Sequence, residues 1–137
     1  MSIKNKLSEI NEMFAMFENP MDKYLLIIEL GKKNTGLDEK DKTNSNRIYG
    51  CASLAWIKTI KNNNLYSIKI DSDTFIVKGL LNILQFIIDE STKEDIFQLQ
   101  IKYILKNIGL EESITSQRTN GFLSALDKIK NQIEEYE

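Results

Sequence analysis

The chain has 137 residues, 42% of them apolar, with 18 basic and 20 acidic side chains and a formal net charge of −2. That length suits one domain over 1–137, the ordinary apolar content argues against disorder, and the scattered basic residues argue against nucleic-acid binding. One cysteine and no histidine exclude an internal disulfide, a structural zinc site, an iron–sulfur cluster held by this chain alone, and any Cys–His or Ser–His nucleophilic pair.

Ile3, Leu7, Ile10, Phe14 and Phe17 recur at helical spacing and predict an amphipathic helix over 3–17. Asn19-Pro20 restarts a helix, with Asn19 as N-cap and Pro20 at the first helical position, where its missing N–H costs nothing. This second helix should stop between Gly31 and Asn34. The polar stretch 35–46 reads as a surface loop. Residues 53–60 and 65–70 have strand character and flank Asn62-Asn63-Asn64, a turn signal, so they predict a hairpin with Tyr66, Ile68 and Ile70 on one face. The chain just before Cys51 can add another short strand. Asp71-Ser72-Asp73-Thr74 offers several caps for a buried helix over 75–89. Ser91-Thr92-Lys93-Glu94 has capping-box spacing, and Ile101, Ile104, Leu105 and Ile108 mark a helix closed by Gly109. A last helix is expected from Ser116, with Phe122, Leu126, Ile129 and Ile133 inward. The fold class is therefore α+β, a small antiparallel sheet packed against several helices.

The apolar stretch 76–88 is too short to span a bilayer and carries Lys78, Asn82 and Gln85. Glu9, Glu12 and Glu18 are unlike a secretory or organellar leader. With a single free thiol, a cytoplasmic location is the expectation. The six glycines never approach the spacing of a phosphate-binding loop.

Cys51 stands in Gly50-Cys51-Ala52-Ser53, with no second thiol and no imidazole anywhere in the chain. A lone cysteine is commonly an inert, buried small hydrophobe. Its alternative is direct sulfur chemistry, because a free thiol is already partly thiolate and needs no base of its own when a donor supplies an activated sulfur. Gly50 would let the backbone bend beside the thiol, and Ala52 and Ser53 would leave it uncrowded. Arg47 and Arg118 are the only arginines, and each is either a surface residue or a guanidinium doing what lysine cannot. Gly121 in the last helix suggests either close backbone approach or a frayed start. Asp71 and Asp73 are most simply caps, and Trp56 most simply core.

Three ordered blocks nonetheless resemble the SufE family. Gly50-Cys51-Ala52-Ser53-Leu54-Ala55-Trp56-Ile57 is similar to its Gly-Cys-x-Ser-x-x-Trp signature. Asp71-Ser72-Asp73 with Ile76-Val77-Lys78-Gly79-Leu80 is similar to its Asp-Ser-Asp…Val-Lys-Gly-Leu segment, and Ser116-Gln117-Arg118-Thr119-Asn120-Gly121 to its Ser-x-Arg-x-x-Gly segment. The resemblance implies a SufE/IscU-like fold and a sulfur carrier rather than a stand-alone enzyme. Cys51 would accept persulfide sulfur from a SufS-like cysteine desulfurase, stimulate it, and pass the sulfur to a SufBCD-like iron–sulfur scaffold. Pyridoxal phosphate would belong to the desulfurase, with no cofactor or metal bound by this chain. Arg47, Gly50, Ser53, Asp73, Arg118, Asn120 and Gly121 would support the cysteine loop and the docking surface. A binding module that regulates a desulfurase-type partner without chemistry is the alternative.

Overall fold

Local capping sets where the helices begin. In the computed structural model, which describes residues 2–50, 53–107 and 116–137, the Ser2 hydroxyl accepts from the Asn5 amide and opens α1 (Ile3–Ala15). The Asn19 side chain accepts from the Met21 amide at 2.9 Å and opens α2 (Pro20–Lys33). Helix α1 ends two residues short of the expected 17, in a turn closed by the Phe17 amide on the Phe14 carbonyl at 3.1 Å.

Strands β1 (Ala55–Asn62) and β2 (Leu65–Ser72) form the predicted hairpin, with Ile57 opposite Ile70 and Thr59 opposite Ile68. Asn63 takes the left-handed angle that the turn needs, φ 57°. Bridges extend the sheet on both sides. Arg47 pairs with Trp56 beside β1, and Tyr66 of β2 pairs with Ser91. The expected third strand is thus a short arm over residues 46–48.

Helix α3 (Phe75–Ile88) is apolar most of the way round because it is central. It packs on β2 and α2, and Leu80, Leu84, Ile87 and Ile88 are buried. Thr92 opens α4 (Lys93–Phe97) by accepting from the Asp95 amide, one residue later than the expected box, because Ser91 is engaged with β2. Helix α5 (Ile101–Asn107) follows, and the expected cap Gly109 lies outside the described residues. Helix α6 (Ser116–Glu135) lies on β1 and buries Phe122, Leu126, Ile129 and Ile133. The architecture is α+β, with a two-stranded antiparallel sheet and six α-helices among the described residues. None of the described helices is long and apolar enough to cross a membrane.

Two expectations need correction. Residues 35–46 are more than a surface loop, since Leu37 is buried and a 3₁₀ turn, Glu39–Asp41, follows it as part of a strap across the sheet. Trp56 and Asp71 are cross-strand partners on the face opposite Ile57 and Ile70, and this strap covers them. Trp56 is accordingly half-buried beneath the Lys42 ammonium, 5.5 Å from its ring centre, rather than a core residue.

Gln132 of α6 supplies a contact that no periodicity suggests. Its carbonyl accepts from the Thr59 amide (2.9 Å) and hydroxyl (2.7 Å), while its NH₂ donates to the Ile57 carbonyl (2.8 Å). One side-chain amide thereby continues the β1 ladder where the short arm ends. Gln132→Leu should strand a buried donor and a buried acceptor, costing about 2–4 kcal/mol. Urea unfolding checks this, and a midpoint unchanged from wild type would refute it.

Candidate functional site

The short arm before Cys51 runs antiparallel to the start of β1. The Ile48 amide donates to the Ala55 carbonyl at 2.8 Å, and the Ile57 amide to the Asn46 carbonyl at 2.8 Å. The chain must therefore reverse direction between 48 and 55, a stretch whose sequence includes Cys51. Cys51 and Ala52 themselves lie outside the described residues. Their flanks define the site.

On the incoming side, Ile48 is buried while Tyr49 is 66% exposed. The Arg47 guanidinium sits 5.1 Å over the Tyr49 ring, and its Nε is buried without a hydrogen-bond partner among the described residues. The Tyr49 hydroxyl donates to the Asn44 carbonyl at 3.2 Å. Gly50 lies in a turn without a left-handed backbone angle. A Cβ there would lie 2.6 Å from Ser124 Cβ, closer still to the Ser124 hydroxyl, and 3.7 Å from the Asn120 carbonyl. Glycine is needed because the loop presses directly on α6.

On the outgoing side, the Leu54 carbonyl accepts from the Ser72 hydroxyl at 2.7 Å and the Asp73 amide at 3.1 Å. The Thr74 hydroxyl donates to the Ser53 hydroxyl at 3.2 Å. The end of β2 therefore holds the arm that follows Cys51. Asp73 takes part through its backbone, and its residue is exposed. Asp71 is not the expected cap. Helix α3 has Thr74 at its N-cap position, with no side-chain capping bond, and Asp71 is a buried strand residue.

Burial pushes the Asp71 carboxyl up, but the amides of Leu37 and Ser72, then the ammoniums of Lys78 and Lys42, outweigh it and hold its pKa below the ordinary value. Lys42 lies 3.3 Å from one carboxylate oxygen and Lys78 3.5 Å from the other. A bond to Glu39 at 2.9 Å is the largest cause raising the Lys42 pKa. The lowered Asp71 and the raised Lys42 thus favour an ion pair at neutral pH.

The predicted site residues fall into two groups. Arg47, Gly50, Ser53 and Asp73 flank the reversal directly, and the Asn120 turn of α6 lies against Gly50. Gly121 is buried in that turn, Asn120 is exposed, and Arg118 stands in the first turn of α6 with its side chain outside what the structure describes. Ser72 and Thr74, expected only as caps, also hold the flank after residue 52, and Ser124, against Gly50, is not singled out by the sequence. Asp71 could have been found by continuing the β2 alternation past Ile70, which puts it beside Trp56.

The described clefts lie elsewhere. One of about 580 Å³ runs between α1, α2 and α3 past Glu9, Met13, Phe86 and Asp89, and one of about 520 Å³ runs past Ile3, Leu7, Leu99 and Tyr103. Among the described residues no three metal-ligating side chains converge. Among the described residues, the site's flanks are a supported arm at the end of the sheet.

Known proteins resemble this chain in sequence and in fold. A family model described as SufE, an Fe-S metabolism associated domain, matches residues 8–133. An uncharacterized SufE-like protein of Rhizobium meliloti is 33% identical over 132 residues, covering 93% of this chain and 94% of that protein. One of Rhizobium etli is 34% identical over 130 residues, covering 92% of this chain and 88% of that protein. The solution structure of a hypothetical protein from Thermus thermophilus has the same fold, with a TM-score of 0.76 at 17% identity over 95% of this chain and 94% of that one. The matched span contains the cysteine reversal, the end of β2 and the α6 turn against Gly50, and the chain belongs to the SufE family.

Proposed function

We propose that the protein is a sulfur acceptor. Its Cys51 takes persulfide sulfur from a SufS-like, pyridoxal-phosphate-dependent cysteine desulfurase, stimulates that enzyme by clearing its product, and hands the sulfur to a SufBCD-like scaffold for iron–sulfur cluster assembly. The observation that carries this reading is the convergence of the three family blocks on one loop. Gly50 packs on the Asn120–Ser124 turn, and Ser53 and Leu54 are bonded to Ser72, Asp73 and Thr74. In a chain with one thiol and no imidazole, this support lies on the segments that flank that thiol in sequence.

The chemistry asks little of the chain. The Cys51 thiolate attacks the outer sulfur of the donor's persulfide, a new S–S bond forms at Cys51, the donor's S–S bond breaks, and its cysteine leaves as thiolate. One sulfane sulfur changes hands, with no external oxidant and no base from this protein. Having no second thiol is an advantage, since a neighbouring one would discharge the persulfide as an internal disulfide.

Incubation with an active cysteine desulfurase and cysteine, followed by intact mass, tests the reading. The expected result is a mass gain of one sulfur atom that a reductant removes and that maps to Cys51. A desulfurase proven active that leaves the mass unchanged would overturn it. Tyr49, Phe75 and Leu54, at 66%, 53% and 39% exposure, favour a second reading. They give the site an apolar surface suited to docking, so a binding module that regulates the same partner without sulfur chemistry would use the same face.

A further inference from the structure

The cleft of about 580 Å³ between α1, α2 and α3 has the size of a small-molecule site. Along α3 its lining runs from Asn82 to Asp89, and Asp89 stands about 20 Å along the helix axis from Thr74 and the arm at the end of the sheet. Met13 of α1, Leu30 of α2 and Phe86 of α3 give it an apolar floor, and none of the three is fully buried. The α2 wall is braced. The Asn34 side-chain NH₂ donates to the Asn82 carbonyl oxygen at 2.8 Å and to the Gln85 carbonyl oxygen at 2.7 Å. Gln85 donates in turn to the Ile68 carbonyl at 3.0 Å. That chain of amides ties the end of α2 to α3 and β2, so the wall is fixed before any ligand arrives.

The charges that line the cleft have one sign. Glu9 and Asp89 are exposed in it, and no lysine or arginine lines it. Among the described residues neither carboxylate is in an ion pair. Asp89 is also the C-cap of α3, where the helix dipole adds negative charge. Buried Lys6 answers that main-chain end, its ammonium donating to the Asp89 carbonyl, and leaves both carboxylates over. An apolar floor with two uncommitted carboxylates selects a cation with an apolar body over a neutral or anionic molecule of the same shape.

We propose that this cleft binds a small organic ammonium, with its apolar body on Met13, Leu30 and Phe86 and its charged head at Glu9 and Asp89. The site is independent of Cys51 and of sulfur transfer. Chemical-shift titration of the isotope-labelled protein at neutral pH tests it with three probes of one shape: hexylammonium, 1-hexanol and hexanoate. Hexylammonium should shift Met13, Leu30 and Phe86 saturably with a Kd in the millimolar range, as its small size dictates. Hexanol should bind about fivefold more weakly, and hexanoate more weakly still. Glu9→Gln and Asp89→Asn should each weaken hexylammonium about threefold and leave hexanol unchanged. Both side chains are exposed, so the variants should fold, and their own spectra verify that. In the double variant hexylammonium should bind no better than hexanol. Equal affinity for the three probes, hexylammonium shifts confined to residues outside the cleft, or a preference for hexylammonium that survives in the double variant overturns the proposal. So does saturation of the cleft by acetyl-Leu-Lys-Leu-amide when hexylammonium does not bind, because the occupant would then be a basic segment of a partner protein.

Discussion

Cys51→Ser should take no sulfur from an active desulfurase and should return that enzyme to its rate without the acceptor. The substitution changes one atom and keeps a polar group of similar size. Its consequence is chemical. A thiol has an appreciable thiolate fraction at neutral pH and attacks sulfur well, whereas a serine hydroxyl is a weak nucleophile unless an adjacent base activates it. This chain has no histidine to do so. Stimulation should therefore be lost and not merely reduced, while Kd for the desulfurase stays within about threefold, under about 1 kcal/mol.

The same variant separates the two readings of the site. A regulatory module works by contact, so Cys51→Ser would leave both docking and stimulation in place. An acceptor loses stimulation and keeps docking. The measurements are desulfurase turnover with saturating acceptor and binding by titration calorimetry. Stimulation at the wild-type level by Cys51→Ser would remove the acceptor reading, and the exposed Tyr49, Leu54 and Phe75 would then carry the function as a docking face.

What could be read in advance follows how local its cause is. Asn19-Pro20 opens α2 because the cap and the proline act within two residues, and the stripe Phe122, Leu126, Ile129, Ile133 faces inward because helical spacing alone sets that face. The hairpin was legible for the same reason, with alternation on β2 and asparagine at the left-handed Asn63. The features that hold the site are not local. Asp71 bonds a residue 34 positions earlier, Gln132 bonds one 73 positions earlier, and Gly50 meets Ser124 across the fold. Nothing near those residues announces such partners. Asp71 in particular sits in a segment rich in capping residues, and the local rule named it a cap when tertiary contacts had made it a clamp. The family blocks mark positions in sequence order, and the tertiary contacts show which of their described residues meet.

Gly79, inside one of those blocks, should tolerate nothing larger. Helices α2 and α3 cross with glycine on both sides. A Cβ at Gly79 would fall 2.7 Å from the Ile27 carbonyl carbon and closer still to its oxygen. A Cβ at Gly31 would fall 2.9 Å from the Gly79 nitrogen and 3.0 Å from the Phe75 carbonyl carbon. These neighbours are backbone, which cannot rotate away as a side chain can. On helix propensity alone Gly79→Ala would gain about 1 kcal/mol. Overpacking against rigid atoms should more than reverse that, for a net loss of about 2–3 kcal/mol. Gly79→Val adds two more carbons and should cost over about 4 kcal/mol, most of the stability of a marginal domain. Urea unfolding decides the sign: a midpoint that falls in Gly79→Ala at unchanged m supports the crossing, and one that rises shows that the helices separate at no cost. Separation would reach the site as well, because Lys78, beside Gly79, is bound to Asp71, and Thr74, just before α3, is bound to Ser53.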